Sequence, residues 1–179
     1  MSGAAAHLIL IGLPGSGKST FGRKVARQLG VPFLDLDVEI ERLDGQPVAR
    51  IFAERGESYF RAREHALTAT LRDRPSMVLA PGGGWAAEPA NPALLRPPGR
   101  IIYLRVSPRT AVRRMGLGVH RRPLLAGQDP VAVLEALLER RAPVYAMADV
   151  IVETERRTQQ QIASAVRDVA AGLWGLAPR

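Results

Sequence analysis

The segment from Gly12 to Thr20, which reads GLPGSGKST, has the residue types and spacing of a phosphate-binding loop. Its glycines let the backbone curl so that several amide N–H groups point at one anion, and a helix starting directly after it adds the positive end of its dipole. Lys18 can reach the outer phosphates of a nucleotide, and the hydroxyl of Ser19 can bind Mg²⁺. The predicted nucleotide contacts are Gly15, Ser16, Gly17, Lys18, Ser19 and Thr20.

Two carboxylates lie at the end of the apolar run at residues 33–36 and directly after it. On an extended segment, Asp35 and Asp37 would project to the same side, at the sheet edge where parallel sheets bind ligands. One carboxylate can then bind Mg²⁺ while the other takes a hydroxyl of a second substrate. The alternative is helix capping, because Asp37 precedes the helical pattern at residues 38–43.

Two arginines further along the chain suit a ligand that carries a carboxylate. Arg61 and Glu64 lie three apart on one face of a predicted helix, so an ion pair between them can hold the guanidinium fork ready. Arg141 ends another predicted helix, next to Arg140 and shortly before Pro143. Each pattern alone also fits an ordinary helix surface or helix end.

Two glycine-rich segments lie between predicted elements. Gly82, Gly83 and Gly84 follow the apolar run at 77–80, where a triple glycine permits close approach of a ligand or of a neighbouring turn. Residues 116–129 carry three glycines and Arg121-Arg122-Pro123 between two predicted helices. This segment is predicted to be a mobile lid, with a disordered connector as the alternative.

Short apolar runs alternate along the chain with segments of helical periodicity. The apolar runs are at residues 8–11, 33–36, 77–80, 101–104 and 150–152. The predicted helices are at residues 18–29, 38–43, 48–54, 58–72, 108–115, 130–145 and 158–173. Strands that alternate with helices predict an α/β fold with a parallel sheet covered on both faces. Residues 89–99 are predicted to be a loop with a short helix.

Length and composition fit one globular domain spanning residues 1–179, without repeats or an interdomain linker. The chain has no cysteine, which excludes disulfides, thiolate zinc sites and a cysteine nucleophile. The first six residues lack a basic region, and the run at 8–11 is too short for a signal core or a membrane span. We therefore expect a cytoplasmic protein with no membrane partner.

The formal charge of +8 comes almost wholly from arginine, because Lys18 and Lys24 are the only lysines. Arginine's planar fork suits phosphate and carboxylate, so a cleft for a nucleotide and an acidic small molecule explains part of the excess. Nucleic-acid binding is the other explanation. The arginines are dispersed and there is no basic tail, so we expect no nucleic-acid partner and a monomer that binds a small-molecule substrate.

Taken together, these segments resemble the shikimate kinases, a small nucleoside-monophosphate-kinase-like family of P-loop kinases. The resemblance runs from about residue 8 to the last predicted helix, through GLPGSGKST, DLD, IFAERGESYFRAREH, PGGG, RRPLL and ERRAPVY. It implies a three-layer α/β/α fold with a five-stranded parallel sheet of order 2-3-1-4-5 and a mobile lid at about 116–128. The implied reaction is phosphorylation of the 3-hydroxyl of shikimate by ATP with Mg²⁺, a step towards chorismate and the aromatic amino acids.

The resemblance also implies roles for individual residues. The acceptor-binding helices would lie at about 37–74. The residues in contact with shikimate would be Asp37, Arg61, Gly82, Gly83, Gly84 and Arg141. Lys18, Asp37 and the lid residue Arg122 would be catalytic, with Arg122 also on the nucleotide phosphates. Arg114 would lie near the adenine, and Ser19 and Asp35 would attend Mg²⁺.

The chain departs from the family pattern at two places. Trp85 follows the triple glycine where the family usually has a small residue, and we expect it to narrow the acceptor pocket. This favours an alternative acceptor, such as gluconate or a cyclitol. In the lid, either Arg121 or Arg122 would act. A nucleotide-binding regulator or RNA-binding protein without turnover is the alternative of another class, which the intact Lys18, Ser19 and Asp35 disfavour.

Overall fold

The computed structural model describes residues 6–121, 125 and 127–175 of the chain. Its strands are β1 (Leu8–Ile11), β2 (Phe33–Asp35), β3 (Val78–Ala80), β4 (Arg100–Arg105) and β5 (Val150–Glu153). Its helices are α1 (Lys18–Leu29), α2 (Leu36–Asp44), α3 (Val48–Leu71), α4 (Ala90–Leu95), α5 (Pro108–Met115), α6 (Pro130–Tyr145) and α7 (Gln159–Trp174). The strands pair in parallel in the order β2-β3-β1-β4-β5, which confirms the predicted fold.

The central strand β1 is buried on both faces, and this explains its unbroken apolar sequence. Ile9 and Ile11 belong to the core that α2, α3 and α6 cover, while Leu8 and Leu10 belong to the core that α1 and α7 cover. Each of the four side chains is at most 5% exposed. The two apolar layers fix the sheet edge from which the phosphate-binding loop emerges.

The structure moves one predicted boundary that matters for the site. β2 ends at Asp35 and α2 begins at Leu36, so the predicted extended segment is one residue too long. Asp35 caps α2, since its Oδ1 accepts a hydrogen bond of 3.4 Å from the backbone N–H of Val38. Asp37 therefore lies in the first turn of α2 and not on an extended strand, which corrects the predicted arrangement of the two carboxylates.

The acceptor-side helices follow from local sequence signals. The helices predicted at 48–54 and 58–72 form one segment, α3, with a kink at Gly56, whose φ of 81° lies in the left-handed region. The loop predicted at 89–99 contains α4.

None of the helices in the described ranges is long and apolar enough to cross a membrane.

The segment predicted to be the lid contains a short regular piece, a 3₁₀ helix at Gly116–Arg121. Val119 and Leu125 are buried in the core with 4% and 2% of their surface exposed, so both anchor the segment to the domain. This packing argues against the disordered connector. Arg122 lies outside the described residues, and its role stays a prediction.

Candidate active site

The phosphate-binding loop connects β1 to α1, and its glycines adopt conformations that other residues rarely reach. Gly15 and Gly17 have φ values of 81° and 95°. A Cβ at Gly15 would lie 2.5 Å from the backbone oxygen of Ala111, so the loop packs directly against α5. α1 begins at Lys18, directly after Gly17, so the N-terminus of the helix points into the loop. The local geometry is that of an anion site.

Lys18 lies folded over its own loop. Its Nζ donates hydrogen bonds to the backbone oxygens of Gly12 (2.9 Å) and Leu13 (3.2 Å). Ser16 lies at the centre of the loop and is fully buried, with no hydrogen-bond partner for its Oγ among the described residues. The loop therefore holds its ammonium group and a buried hydroxyl close to the position where a phosphate binds such loops.

A hydroxyl and a carboxylate meet beside this loop. Ser19, in the first turn of α1, donates a 2.5 Å hydrogen bond to Oδ2 of Asp35, at the carboxyl end of β2. Both are hard oxygen donors of the kind that Mg²⁺ prefers, and Mg²⁺ in kinases takes only one or two protein ligands besides phosphate oxygens and water. The pair therefore fits a magnesium site.

The triple glycine faces the three side chains that the resemblance places on the acceptor. A Cβ at Gly82 would lie 2.5 Å from Oδ1 of Asp37. A Cβ at Gly83 would collide with the guanidinium group of Arg141, and one at Gly84 with that of Arg61. A side chain at any of these positions would displace the charged side chains of α2, α6 and α3, which approach the backbone closely.

The loop and the glycine turn, residues 82–84, share one cleft of about 810 Å³. Lys18, Ser19 and Asp35 line its phosphate side, and Asp37, Gly82 and Gly83 line the other. Arg141 and Arg61 lie against Gly83 and Gly84 of the same turn, and neither belongs to the described lining of the cleft. The charged groups predicted for acceptor binding therefore meet at one turn, which opens onto the cleft through Gly82 and Gly83.

Asp37 is an unusual carboxylate. Burial, and next the negative charge of Asp35, raise the pKa of Asp37 to about 6, while the charges of Lys18 and Arg61 act in the opposite direction. Its Oδ1 is buried and has no hydrogen-bond partner within the described ranges. An acidic group with a pKa near neutrality and an open acceptor atom can bind a hydroxyl and take its proton.

Arg61 is held by two acidic residues of its own helix. Its Nη1 donates to Glu64 at 2.8 Å, and its Nη2 donates to Glu57 at 3.0 Å. Glu64 is fully buried, and burial raises its pKa to about 7 against the opposing effect of Arg61. The predicted pairing of Arg61 and Glu64 is confirmed, whereas the contribution of Glu57 was not predicted from the sequence.

Arg141 presents an unused donor. Its Nη1 is buried and has no hydrogen-bond partner among the residues that the structure describes. Because burying an unpaired guanidinium nitrogen is costly, this atom is well suited to bind an acceptor carboxylate beside Gly83. The arrangement matches the role that the resemblance implies.

Arg114 borders the nucleotide side of the cleft. Its guanidinium donates to Oγ1 of Thr154 (2.9 Å) and to the backbone oxygen of the same residue (2.5 Å), which ties α5 to the segment after β5. Arg157 and Gln159 from that segment line the cleft as well. Neither residue was predicted to line the cleft, because polar residues near the start of a helix are also typical of solvent-exposed surfaces.

Trp85 does not narrow the cleft. Its side chain is 1% exposed within the core and is absent from the cleft's described lining, so the expected effect on the acceptor pocket is wrong. An indole is mostly apolar, and here its ring packs inward while its N–H finds a partner in α3.

Sequence and structure both relate this chain to known kinases. The family described as shikimate kinase matches residues 14–171. The shikimate kinase of Moorella thermoacetica is 41% identical over 162 residues, covering 90% of this chain and 92% of that protein. The structure of the Acinetobacter baumannii shikimate kinase, solved in complex with shikimate, has a TM-score of 0.85 and 34% identity, with 94% of each chain covered.

A gluconokinase from Sinorhizobium meliloti also shares the fold, with a TM-score of 0.62 and 18% identity, covering 95% of this chain and 96% of that chain. At that identity the likeness concerns the fold alone. The family match spans both the phosphate-binding loop from Pro14 onwards and Arg61 and Arg141, the two arginines predicted to bind the acceptor. The chain belongs to the shikimate kinase family.

Proposed function

We propose that this protein transfers the γ-phosphoryl group of ATP to the 3-hydroxyl of shikimate. One observation carries the proposal: Asp37, Arg61 and Arg141, from three different helices, each lie against one glycine of a turn that shares a cleft with the phosphate-binding loop. Membership of the shikimate kinase family supports the same reaction.

At the phosphate end, the chain's groups neutralise and orient charge. MgATP supplies the phosphoryl group and the metal charge that screens its β- and γ-oxygens. The loop amides and the helix end bind the phosphates, Lys18 turns from its loop carbonyls to the outer oxygens, and Ser19 and Asp35 hold Mg²⁺. From the lid, Arg122 or its neighbour Arg121 adds positive charge.

At the acceptor end, Arg61 and Arg141 bind the carboxylate of shikimate, because paired guanidinium forks match its two oxygens. Asp37 binds the reacting hydroxyl and accepts its proton, for which a pKa of about 6 is well placed. Glu57 and Glu64 hold Arg61 before the acceptor arrives, so little side-chain freedom is lost on binding.

The proposal also covers the domain organisation, the compartment and the partners of the protein. Residues 1–179 form one kinase domain, with acceptor-binding helices at about 37–74 and a lid at about 116–128. The protein acts as a cytoplasmic monomer on a small molecule, without nucleic-acid or membrane partners. The dispersed arginines support the absence of a nucleic-acid partner, because Arg42 and Arg50 are paired with acidic neighbours on the surface.

The alternative acceptors lose their support. Gluconate or a cyclitol was favoured only by Trp85 at the pocket, and the indole lies in the core. A regulator without turnover is disfavoured by an acceptor site in which Arg61 is pre-organised and Arg141 retains an unused donor.

The test is ADP release in a coupled assay with shikimate, gluconate and a cyclitol at equal concentrations. We expect Mg²⁺-dependent turnover with shikimate and only background ATP hydrolysis with the other two. A reaction without acceptor measures that background. Turnover with gluconate and none with shikimate would overturn the proposal.

A further inference from the structure

Trp85 connects the glycine turn to α3 through a buried chain of hydrogen bonds. Its indole Nε1–H donates to Oγ1 of Thr68 at 2.8 Å, and the Thr68 hydroxyl donates to the backbone oxygen of Glu64 at 2.7 Å. Trp85 is 1% exposed, and Thr68 and Glu64 are 0% exposed. No water competes at such a depth, so the link has a defined direction and length.

A second link starts from the backbone of the same tryptophan. The side-chain amide of Asn91 donates to the Trp85 carbonyl at 3.0 Å, and its Oδ1 accepts a 2.8 Å hydrogen bond from Nδ1 of His65. Asn91 is 1% exposed. The Trp85 backbone N–H also donates to the oxygen of Gly82 at 3.2 Å, which closes the turn itself. Side chain and backbone of Trp85 thus both connect this turn to α3.

Both links end on the face of α3 that carries the acceptor arginine. Positions 61, 64, 65 and 68 have the spacing of neighbours along one side of a helix. Arg61 and its buried partner Glu64 therefore belong to the same stripe that the Trp85 chain holds. A shift of the turn along α3 would move Gly84 relative to the Arg61 guanidinium.

The contact at Gly84 leaves little room for such a shift. The guanidinium of Arg61 lies so near this glycine that even a Cβ would collide with it. Arg61 is also tethered to Glu57 and Glu64, so it cannot follow the turn freely. Small displacements of bound groups carry large costs in affinity and rate. The register between the glycine turn and α3 is therefore a determinant of how the acceptor is bound.

We propose that Trp85 is a positioning residue for the acceptor carboxylate: its indole N–H, acting through Thr68, holds the glycine turn in register with α3 so that Arg61 meets the carboxylate in a fixed geometry. Trp85 touches neither the acceptor nor the nucleotide in this role. The inference rests on the proposed function, because its readout is the affinity for shikimate.

The variant Trp85→Phe tests the link, since it keeps an aromatic ring and removes the N–H. We expect its KM for shikimate to rise about 5- to 10-fold, the effect of losing one buried hydrogen bond, while kcat and the KM for ATP stay within about twofold. The matched control is Trp174→Phe, which removes the 2.5 Å indole hydrogen bond to the backbone oxygen of Ala6, far from the cleft. It should lower Tm without changing either KM.

The partner residue gives an independent route that does not depend on how Trp85→Phe folds. Thr68→Val removes the hydroxyl at nearly constant shape and should raise the KM for shikimate by a similar factor. Thr68→Ser keeps the hydroxyl and should restore a KM within about twofold of the wild type. The double variant Trp85→Phe/Thr68→Val should have a KM for shikimate no higher than that of the more impaired single variant, because both substitutions break the same hydrogen bond.

The outcomes separate this inference from the proposed function. Wild-type protein that turns over shikimate, with a KM within twofold in both Trp85→Phe and Thr68→Val, would overturn the positioning role alone. An equal rise in the KM for ATP would also overturn it, because a general loosening of the domain would then explain the data. Wild-type protein without shikimate turnover would overturn the proposed function and this inference with it.

Discussion

The phosphate side and the acceptor side of the cleft are built in opposite ways. The phosphate-binding loop is a run of consecutive residues between β1 and α1, and it works through backbone N–H groups and a helix end. The acceptor side collects Asp37, Arg61 and Arg141 from α2, α3 and α6 around the glycine turn. A phosphate site can therefore be local, whereas recognition of a hydroxy acid requires the whole tertiary structure.

The two sides also differ in electrostatics. Lys18 and the helix end make the phosphate side positive. On the acceptor side, burial raises the pKa values of Asp37 and Glu64 to about 6 and about 7, so ionised carboxylates there are held at a cost in stability. Burial of charge for function is a common reason why active sites destabilise a fold.

Removing Lys18 should have the largest effect on activity, and that effect should be confined to the phosphate side. Lys18→Ala is expected to lower kcat by about 10²- to 10³-fold, because charge developing on the phosphate oxygens loses its partner. Shikimate affinity, measured by calorimetry, should stay within about threefold of the wild type, and circular dichroism should show a retained fold. A parallel collapse of shikimate binding would mean that the two sides are not separable.

Removing an acceptor arginine should have the complementary effect. Arg141→Ala is expected to weaken shikimate binding by on the order of 2 kcal/mol, or about 30-fold, because a buried charge pair with the ligand is lost. The KM for ATP should change little. The exposed neighbour provides the control, as Arg140→Ala should leave both constants unchanged. Equal effects of the two variants would remove Arg141 from the site.

Burial of the Asp37 carboxylate should lower the free energy of unfolding at neutral and alkaline pH. The pKa of Asp37 in the folded protein, about 6, lies above its ordinary value of 3.8, so its stabilising contribution is full below pH 3.8 and is lost as the pH rises through 6. Asp37→Asn should therefore raise the free energy of unfolding at pH 8 by on the order of 1 to 3 kcal/mol while abolishing turnover.

Urea unfolding of the wild type and Asp37→Asn at pH 4, 5, 6 and 8 measures this difference. The gain should shrink steadily as the pH falls from 8 to 4, because the carboxyl is then protonated in the folded state and begins to be protonated in the unfolded state. A variant less stable than the wild type at pH 8 would contradict the buried, unpaired environment assigned to Asp37.

We expect the smallest effect on shikimate binding from a substitution at the glycine turn, where Gly83 lies against the guanidinium of Arg141. Gly83→Ala adds a Cβ that collides with the Arg141 guanidinium, and we expect a rise of several-fold in the KM for shikimate as that side chain is displaced. Gly172→Ala in α7 is the control, because its Cβ meets nothing within 4 Å and should slightly stabilise the helix. An unchanged KM in Gly83→Ala would show that Arg141 tolerates displacement.

The contrast between the two sides also explains what could be predicted from the sequence. The loop, α1, α5 and α6 have the bounds that their local signals indicate, because phosphate-binding glycines, helix caps and periodicity are encoded by neighbours in sequence. The roles of the residues on the acceptor side were predicted through the family resemblance. Their spacing alone could not show that Arg61 and Arg141 meet, since α3 and α6 are far apart in sequence.

Two errors have the same physical origin. Asp37 was expected on an extended segment, yet β2 ends at Asp35, which takes the capping position of α2. Trp85 was expected to face the cleft, yet a hydrogen-bond partner in α3 allows its indole to be buried. In both cases the direction of a side chain depends on tertiary packing, which residue type and spacing do not specify.

A crystal structure with shikimate and MgADP bound would show which side chains hold the acceptor beside the phosphate-binding loop. We predict that the shikimate carboxylate binds the guanidinium groups of Arg61 and Arg141 at about 2.7–2.9 Å, with a ring hydroxyl on Asp37 facing the phosphate-binding loop. Shikimate bound with its carboxylate away from both arginines, or with no hydroxyl near Asp37, would contradict the account.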